Sequence, residues 1–464
     1  MQKKRHTFCQ IKKKLYLCIA IEKNNGSIAQ LNRAFDYGSK GYRFESYWSH
    51  SKQETNSIVR LFFFFTRQPP IPQQKNLFYR FHKTESYAYL CTMIIKRLRT
   101  SINPVRAFRI ILLLLPMLVY GQSKSFEFQP QPTQQLKLLF VGDLMQHQAQ
   151  IDAALRADGS YDYTHCFSLV KERISRADLA IGNLEVTLGG EPYRGYPQFS
   201  APDEYIYALR DAGFDILSTA NNHSLDRRRR GLERTLTLID STGLVAMGTY
   251  RDESDRQQRY PLLIEKNGIR IAFLCATYGT NGIGVTHPNI VNSLDRTELA
   301  KDIQQARAMR PDAIIAILHW GNEYQQLPNT EQRDLARWLI DEGVDHVIGS
   351  HPHVIQPIES IDSDQYPTQH MIAYSLGNYV SNMSIPHGDV GLVVELTLEK
   401  RGYVTRIKQF DYDLVWTERA ALSRTANFRI IPSDTIPDDL SMNAQLHMQK
   451  AINTEKDFLK NTLK

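Results

Sequence analysis

The chain has 464 residues, with 56 Lys+Arg against 49 Asp+Glu and a formal net charge of +7. That excess sits at the start: residues 1–121 hold 21 basic and 5 acidic side chains, leaving 35 and 44 of the totals for the rest, a net charge of −9. An acidic body excludes bulk electrostatic attraction to nucleic acid, so no nucleic-acid partner is expected, and the length allows two or three domains at about 150 residues each.

Residues 1–92 have no sustained helical or strand period. They carry the basic cluster Lys12 to Lys14, the run Phe62 to Phe65 and the Pro/Gln stretch Pro69 to Gln74. Gly26 to Ser46 resembles the peptide obtained by translating a transfer-RNA gene, so 1–92 is expected to be a mis-called extension. A disordered basic arm that binds nucleic acid is the competing reading. From Met93 the order suits export. Lys96, Arg97, Arg99, Arg106 and Arg109 flank or precede the apolar run Ile110 to Val119, which is too short to span a bilayer comfortably. Val119-Tyr120-Gly121 offers a cleavage site before Gln122, and no cysteine follows closely enough for a lipoprotein. Residues 93–121 are therefore a signal peptide or, uncleaved, a signal anchor, and the protein is expected in the periplasm or cell envelope.

Residues 122–135 read as a Gln/Pro-rich linker. Strands are predicted at Leu136 to Val141, Leu179 to Ile181, Ile216 to Thr219, Ile269 to Ala276, Ala313 to Leu318, Val344 to Ile348 and Met371 to Tyr374. Helical periods fall between them at Gln148 to Arg156, Tyr205 to Ala212, Leu232 to Ser241, Glu298 to Met309 and Glu331 to Glu342. Gly391 to Glu399 and Tyr403 to Trp416 alternate as antiparallel strands do. Strands alternating with helices predict one α/β layered domain over 136–420. Residues 421–464 are expected to be an extension, ending in a helix, Asn443 to Thr462, polar enough to lie on the surface. Cys166 and Cys275 are the only cysteines after residue 121; they form one disulfide, or Cys275 stays a buried thiol within its apolar run.

The chemistry lies at the carboxyl ends of the predicted strands, where open α/β sheets bind ligands. Those ends carry Asp143, Asn183, Glu185, Asn222, His223, His319, Glu323, His351 and His353. In His351-Pro352-His353 the proline is expected to hold the preceding residue extended and the loop stiff. Mixed carboxylate, amide and imidazole ligands suit Mn, Fe or Zn. Arg227 to Arg230 opens a helix, where cations oppose the dipole. The run is thus either an anion-holding element, with Arg227 and Arg228 as substrate contacts, or a solvated basic surface. Tyr278-Gly-Thr-Asn-Gly282 is a tight turn that shapes the rim of the site and offers Asn281.

Six blocks together resemble the signature of the CapA family of bacterial capsule, or poly-γ-glutamate, synthesis. They are Gly142-Asp143, Asn183-Leu-Glu185, Ala220-Asn-Asn-His-Ser-Leu-Asp226, His319-Trp-Gly-Asn-Glu-Tyr324, Gly349-Ser-His-Pro-His-Val-Ile-Gln-Pro-Ile-Glu359 and Tyr374-Ser-Leu-Gly-Asn-Tyr379. The resemblance covers about residues 136–400. It implies a metallophosphatase-like αββα four-layer sandwich and a role in making or exporting capsule, with an anionic polymer or phosphorylated substrate and a membrane capsule-synthase as partners. It also implies that Asp143, Asn222, His319, His351 and His353 bind one or two divalent metals. Glu185 would supply a bridging carboxylate, and His223, with Asn222, would assist the leaving group. Asn183, Glu323 and Asn378 are expected to contact substrate. Three departures bear on the metal count. Met145 stands where a histidine is usual, Asn183 where an aspartate is usual, and Ser350 where a histidine is often seen. Two functional classes follow: a metal-dependent hydrolase, and a non-catalytic component that holds the polymer or a synthase.

Overall fold

Leu136, Leu138 and Phe140 alternate with Leu139 and Val141 along one strand, and all five are buried. The first three join one hydrophobic cluster and the other two a second. A strand that is apolar on both faces must be covered on both, by a second sheet on one side and helices on the other. The computed structural model describes residues 133–362 and 369–463, together with four short strands nearer the start. Those four, Cys9–Ile11 with Leu15–Leu17 and Phe35–Asp36 with Arg43–Phe44, make two antiparallel pairs in a unit of their own, Met1–Phe126. The expected export segment, 93–121, lies outside the described residues, as do the rest of 1–92 and residues 122–132. Among the described residues no helix is long and apolar enough to cross a membrane.

The second unit, Glu127–Lys464, is built on two sheets. In sheet one, β1 (Gln134–Leu144), β2 (Leu179–Leu184), β3 (Ile216–Ser218) and β4 (Val245–Met247) run parallel in that order. Sheet two contains β5 (Leu262–Lys266), β6 (Ile269–Thr277), β7 (Ala313–His319), β8 (His346–Ser350), β9 (Ile358–Asp362) and β10 (Gln369–Ala373). Their spatial order is β5-β6-β7-β8-β10-β9, a parallel centre with an antiparallel strand at each edge. The chain then returns to sheet one. The short β11 (Asn378–Val380) pairs with the end of β1, and β12 (Val390–Arg401), β13 (Val404–Glu418) and β14 (Arg429–Pro432) extend the far side antiparallel.

Ile271, Phe273 and Cys275 of β6 and Ile315 and Ile317 of β7 meet Leu392, Val394 and Leu396 of β12 between the sheets. Helices α1 (Gln148–Ala154), α2 (Glu204–Ala212) and α3 (Arg228–Thr242) cover the outer face of sheet one. Helices α4 (Arg296–Ala308) and α5 (Thr330–Asp341) cover sheet two, burying Leu299, Ile303, Leu335 and Leu339. Each of these two starts at a side-chain cap that satisfies free amides. Asp295 accepts from the amides of Thr297 and Glu298, and Asn329 from that of Gln332. The architecture is therefore the expected α/β/β/α sandwich.

The end of the chain differs from expectation. Helix α6 (Met442–Thr462) is polar in composition, yet Ala444, Met448, Ile452 and Leu459 fall on one stripe and join the core between the sheets. Full burial of each larger side chain there is worth about 1.5–3 kcal/mol, so the helix is part of the fold rather than a surface appendage. The two cysteines are both free and buried, Cys275 between the sheets and Cys166 under the helices of sheet one.

Candidate metal centre

The two sheets end their parallel strands at the same place. Gly142 brings β1 so close to the crossing segment that a Cβ there would sit 1.9 Å from the Gly377 carbonyl oxygen. Gly349 does the same for β8, where a Cβ would lie 2.0 Å from the Tyr374 oxygen. The residues that follow these glycines, Asp143 and Ser350-His351, are thereby held at the seam between sheets.

Sheet one supplies Asp143, Asn183 and Glu185, all buried. The Asn183 amide donates to Asp143 Oδ1 at 2.8 Å and lies 3.4 Å from Glu185 Oε2. Sheet two supplies His319 at the end of β7, and His351 and His353 after β8. His319 Nε2 is 2.9 Å from Asn222 Oδ1, and its Nδ1 is 3.3 Å from the Asn183 amide. His353 Nδ1 lies 3.0 Å from Asp143 Oδ2 and 3.1 Å from Asn378 Oδ1. Both neighbours are acceptors, so Nδ1 carries a proton. His353 Nε2 is 3.7 Å from Glu185 Oε1, and His319 Nε2 is 3.6 Å from the same oxygen.

The backbone of the His-Pro-His turn is not extended. His351 has φ 102° and His353 φ 58°, so the expected effect of Pro352 on its predecessor does not hold. Two non-glycine residues in this region cost energy and persist only where the surroundings over-determine them.

Three triads of ligand atoms each lie within 4.8 Å: Glu185, His319, His351; Asp143, Glu185, His353; and Glu323, His351, His353. Glu185 belongs to two of them. Its Oε1 and His351 Nδ1 are buried with no hydrogen-bond partner. Burial and then the Asp143 charge push the Glu185 carboxyl well above its ordinary range. Burial and then the His353 charge bring His351 down to about 3, and burial beside the other histidines holds His319 well below its usual value. At Asp143 burial acts upward, but the hydrogen bond and charge of His353 outweigh it and leave the group lowered. The imidazoles of His319 and His351 held neutral, the ionised Asp143 carboxylate and unpartnered acceptors are what a divalent cation needs, so the residues present fit such an ion.

The other expected residues fall in three places. Buried His223 has its Nδ1 2.7 Å from Asp226 Oδ2, and the same oxygen accepts from the Phe199 amide at 2.7 Å. Asn378 is fully buried behind His353, holding it rather than facing outward. Arg227, Arg228 and Asn281 are not part of the cluster. Arg227 is directed at the Pro192 carbonyl, while Arg228 and Asn281 are exposed. Three contributors were not singled out by sequence, and a fourth, Tyr278, opens the turn read as the rim of the site. Asp226 orients His223, and Asn221 links Asn183 to the Leu184 carbonyl and the His223 amide. Tyr278 lays its ring 4.5 Å from that of His351. His147, brought by burial to about 4, is separated from His223 by the Phe199 ring, which lies 5.3 and 4.6 Å from the two. Asp226 and Asn221 stand inside a block already noticed, which was the available signal.

Residues 137–383 match the model of the bacterial capsule synthesis protein PGA_cap family. The chain is 28% identical over 285 residues to the capsule biosynthesis protein CapA of Bacillus anthracis, covering 58% of this chain and 65% of that one. It is 27% identical over 312 residues to the PGA biosynthesis protein CapA of Bacillus subtilis (strain 168), covering 63% and 76%. The match thus spans just under two thirds of the first relative's length. Among solved structures, calcineurin-like phosphoesterase YfkN from Bacillus subtilis aligns over 70% of this chain and 100% of that chain, at 15% identity and a TM-score of 0.37.

Proposed function

The chain belongs to the bacterial capsule synthesis protein PGA_cap family, and from that premise we propose that it is a cell-envelope capsule-synthesis protein acting as a metal-dependent hydrolase. Its substrate class is a phosphoester or a γ-glutamyl amide within an anionic polymer, and a membrane capsule-synthase is the partner class. Residues 93–121 would carry it out of the cytoplasm or hold it at the membrane.

The observation that carries this reading is the Glu185 carboxylate, shared by two ligand triads drawn from both sheets. Asp143, Glu185, His319, His351 and His353 would hold one or two divalent ions, with Asn222 beside them. A bound ion would polarise the scissile group and lower the pKa of water. The residues around it do the rest. His353 is fixed in one tautomer by Asp143 and Asn378, which sets its ring and raises its basicity. His223 is held through Nδ1 by Asp226, leaving Nε2 without a hydrogen-bond partner among the described residues. A proton delivered from that atom to a leaving oxygen or nitrogen is general acid catalysis. Trp320 and Tyr374, buried beside the site, exclude water from behind it.

A second reading rests on Asn183. Its amide is spent on Asp143, so it donates where the family's usual aspartate would ligate. A weaker or single ion would suit a protein that holds polymer without cleaving it. Elemental analysis of the purified protein, paired with turnover of generic phosphoesters and of a γ-glutamyl amide, decides between them. Metal with turnover supports the hydrolase; metal or none, without turnover, supports the holding role.

A further inference from the structure

The strained turn at His351 and His353 needs support from outside itself, and that support leads to a carboxylate far along the chain. Glu455 lies in α6, 1% exposed, beyond the segment matched by the family model. Its Oε1 is 2.6 Å from His387 Nδ1, and its Oε2 accepts from the Gln326 amide at 3.1 Å. These donors stand on two different loops, each bound to the turn.

Gln326 lies two residues after Tyr324, whose amide donates to the Pro352 carbonyl at 2.8 Å. The next link is Gln356, just after the turn, which donates to the Gln325 carbonyl at 2.8 Å. On the other side, His387 precedes Gly388, whose carbonyl accepts from the Asn378 amide at 2.9 Å. The same Asn378 amide reaches the His353 carbonyl at 3.1 Å, while its Oδ1 faces His353 Nδ1. His387 itself has φ 65° and Tyr324 φ 64°, further strained points on the two paths. One buried carboxylate therefore closes two chains of hydrogen bonds that converge on the His-Pro-His turn from opposite sides. A side chain serving only to seat α6 would need neither loop, because Met448, Ile452 and Leu459 already do so.

We propose that Glu455 is a positioning residue for the metal centre: through His387 and Gln326 it holds the two loops that keep His351 and His353 in their left-handed conformations. The reading rests on the metal-site assignment above, but the geometry it predicts exists in the metal-free chain. Loss of the carboxylate frees both loops, lets the turn relax and disperses the imidazoles. Glu455→Gln keeps an acceptor and a polar side chain of the same length, and retains part of the effect.

The test uses the full chain and three variants, Glu455→Ala, Glu455→Gln and Ile452→Ala, the last removing packing from the same helix without touching either loop. Amide hydrogen exchange without metal is read for residues 320–328 and 349–356, at a temperature where all are folded by circular dichroism. Mn²⁺ and Zn²⁺ affinities are measured by calorimetry. Glu455→Ala should speed exchange in both segments, Glu455→Gln less so, and Ile452→Ala not locally. Metal affinity should fall roughly 10-fold to 100-fold in Glu455→Ala, as for other residues that orient ligands. Unchanged exchange in Glu455→Ala, or the same change in Ile452→Ala, overturns the proposal. Failure of the wild-type chain to bind either metal overturns the metal-centre reading instead, and the exchange result still decides the role of Glu455.

Discussion

Asp143 Oδ2 lies 3.0 Å from His353 Nδ1, joining residues 210 positions apart from opposite sheets. The contact fixes the imidazole tautomer and keeps the carboxylate ionised, so each group prepares the other for a cation. Asp143→Asn keeps the size but loses the charge. It should weaken metal binding at least as much as a lost orienting contact does, roughly 10-fold to 100-fold, while secondary structure is retained. Titration with a chromophoric chelator measures this. The double variant His351→Ala, His353→Ala should bind no metal by elemental analysis.

His223→Ala and Asp226→Asn separate chemistry from metal binding. His223→Ala should keep its metal and lose about 10²–10⁴ in hydrolysis of an ester with a poor leaving group. An ester whose leaving group needs no proton should suffer much less. Asp226→Asn should act in the same direction with smaller effect, since Nδ1 keeps a partner. Rates against leaving-group pKa for the three proteins check the assignment.

Acid should destabilise the metal-free protein through its buried histidines, with Glu185, whose raised carboxyl takes up a proton in the folded state, acting the opposite way. His346 and His351 are buried and held down to about 3, against 6.5 when unfolded. Between those values the unfolded chain binds the extra protons, so stability falls as pH falls from 6.5 towards 3. The slope is at most about 1.4 kcal/mol per pH unit for each histidine. His346 accepts from the Met371 amide at 3.3 Å and lies on β8, before the ligand loop. His346→Gln keeps an acceptor and should flatten the acid limb of urea-midpoint curves.

Gly142→Ala should be among the costliest small substitutions in the chain. The added carbon would meet the backbone oxygen of Gly377, which no rotamer change can clear. Overpacking of this kind costs about 1–3 kcal/mol, and here it also displaces Asp143. Both the urea midpoint and the metal affinity should drop, whereas Gly159→Ala, in open space, should leave affinity unchanged.

The parallel strands and the residues at their ends were legible because buried strands are apolar runs, and polar chemistry directly after such a run stands out. Asp143, Asn183, Glu185, His319, His351 and His353 all announced themselves in this way. The edge strands β4, β5 and β14 are three to five residues long, too short to show a period. Helix α6 hid its buried stripe because its composition is polar on average, although the spacing of Ala444, Met448 and Ile452 was regular. The conformation of His351 contradicts the local rule for a residue before proline, because tertiary contacts at a strained turn outweigh local preference. The Arg227 to Arg230 run drew notice by charge alone, and charge does not say which way a helix terminus faces. Arg228, Arg229 and Arg230 are exposed, with Arg229 paired to Glu233 at 2.8 Å.

The ligands at the seam come from both sheets: Asp143 and Glu185 from one, His319, His351 and His353 from the other. An ion gripped by both would be a cross-link between the two slabs of the sandwich, comparable in placement to a rivet. Folding and loading then become one equilibrium, and free metal at about 100 times its dissociation constant would add about 2.7 kcal/mol to stability. The two triads that share Glu185 each need donors from both slabs. Until the two sheets meet, neither triad that shares Glu185 exists, so an ion held there is taken up only as the sandwich closes.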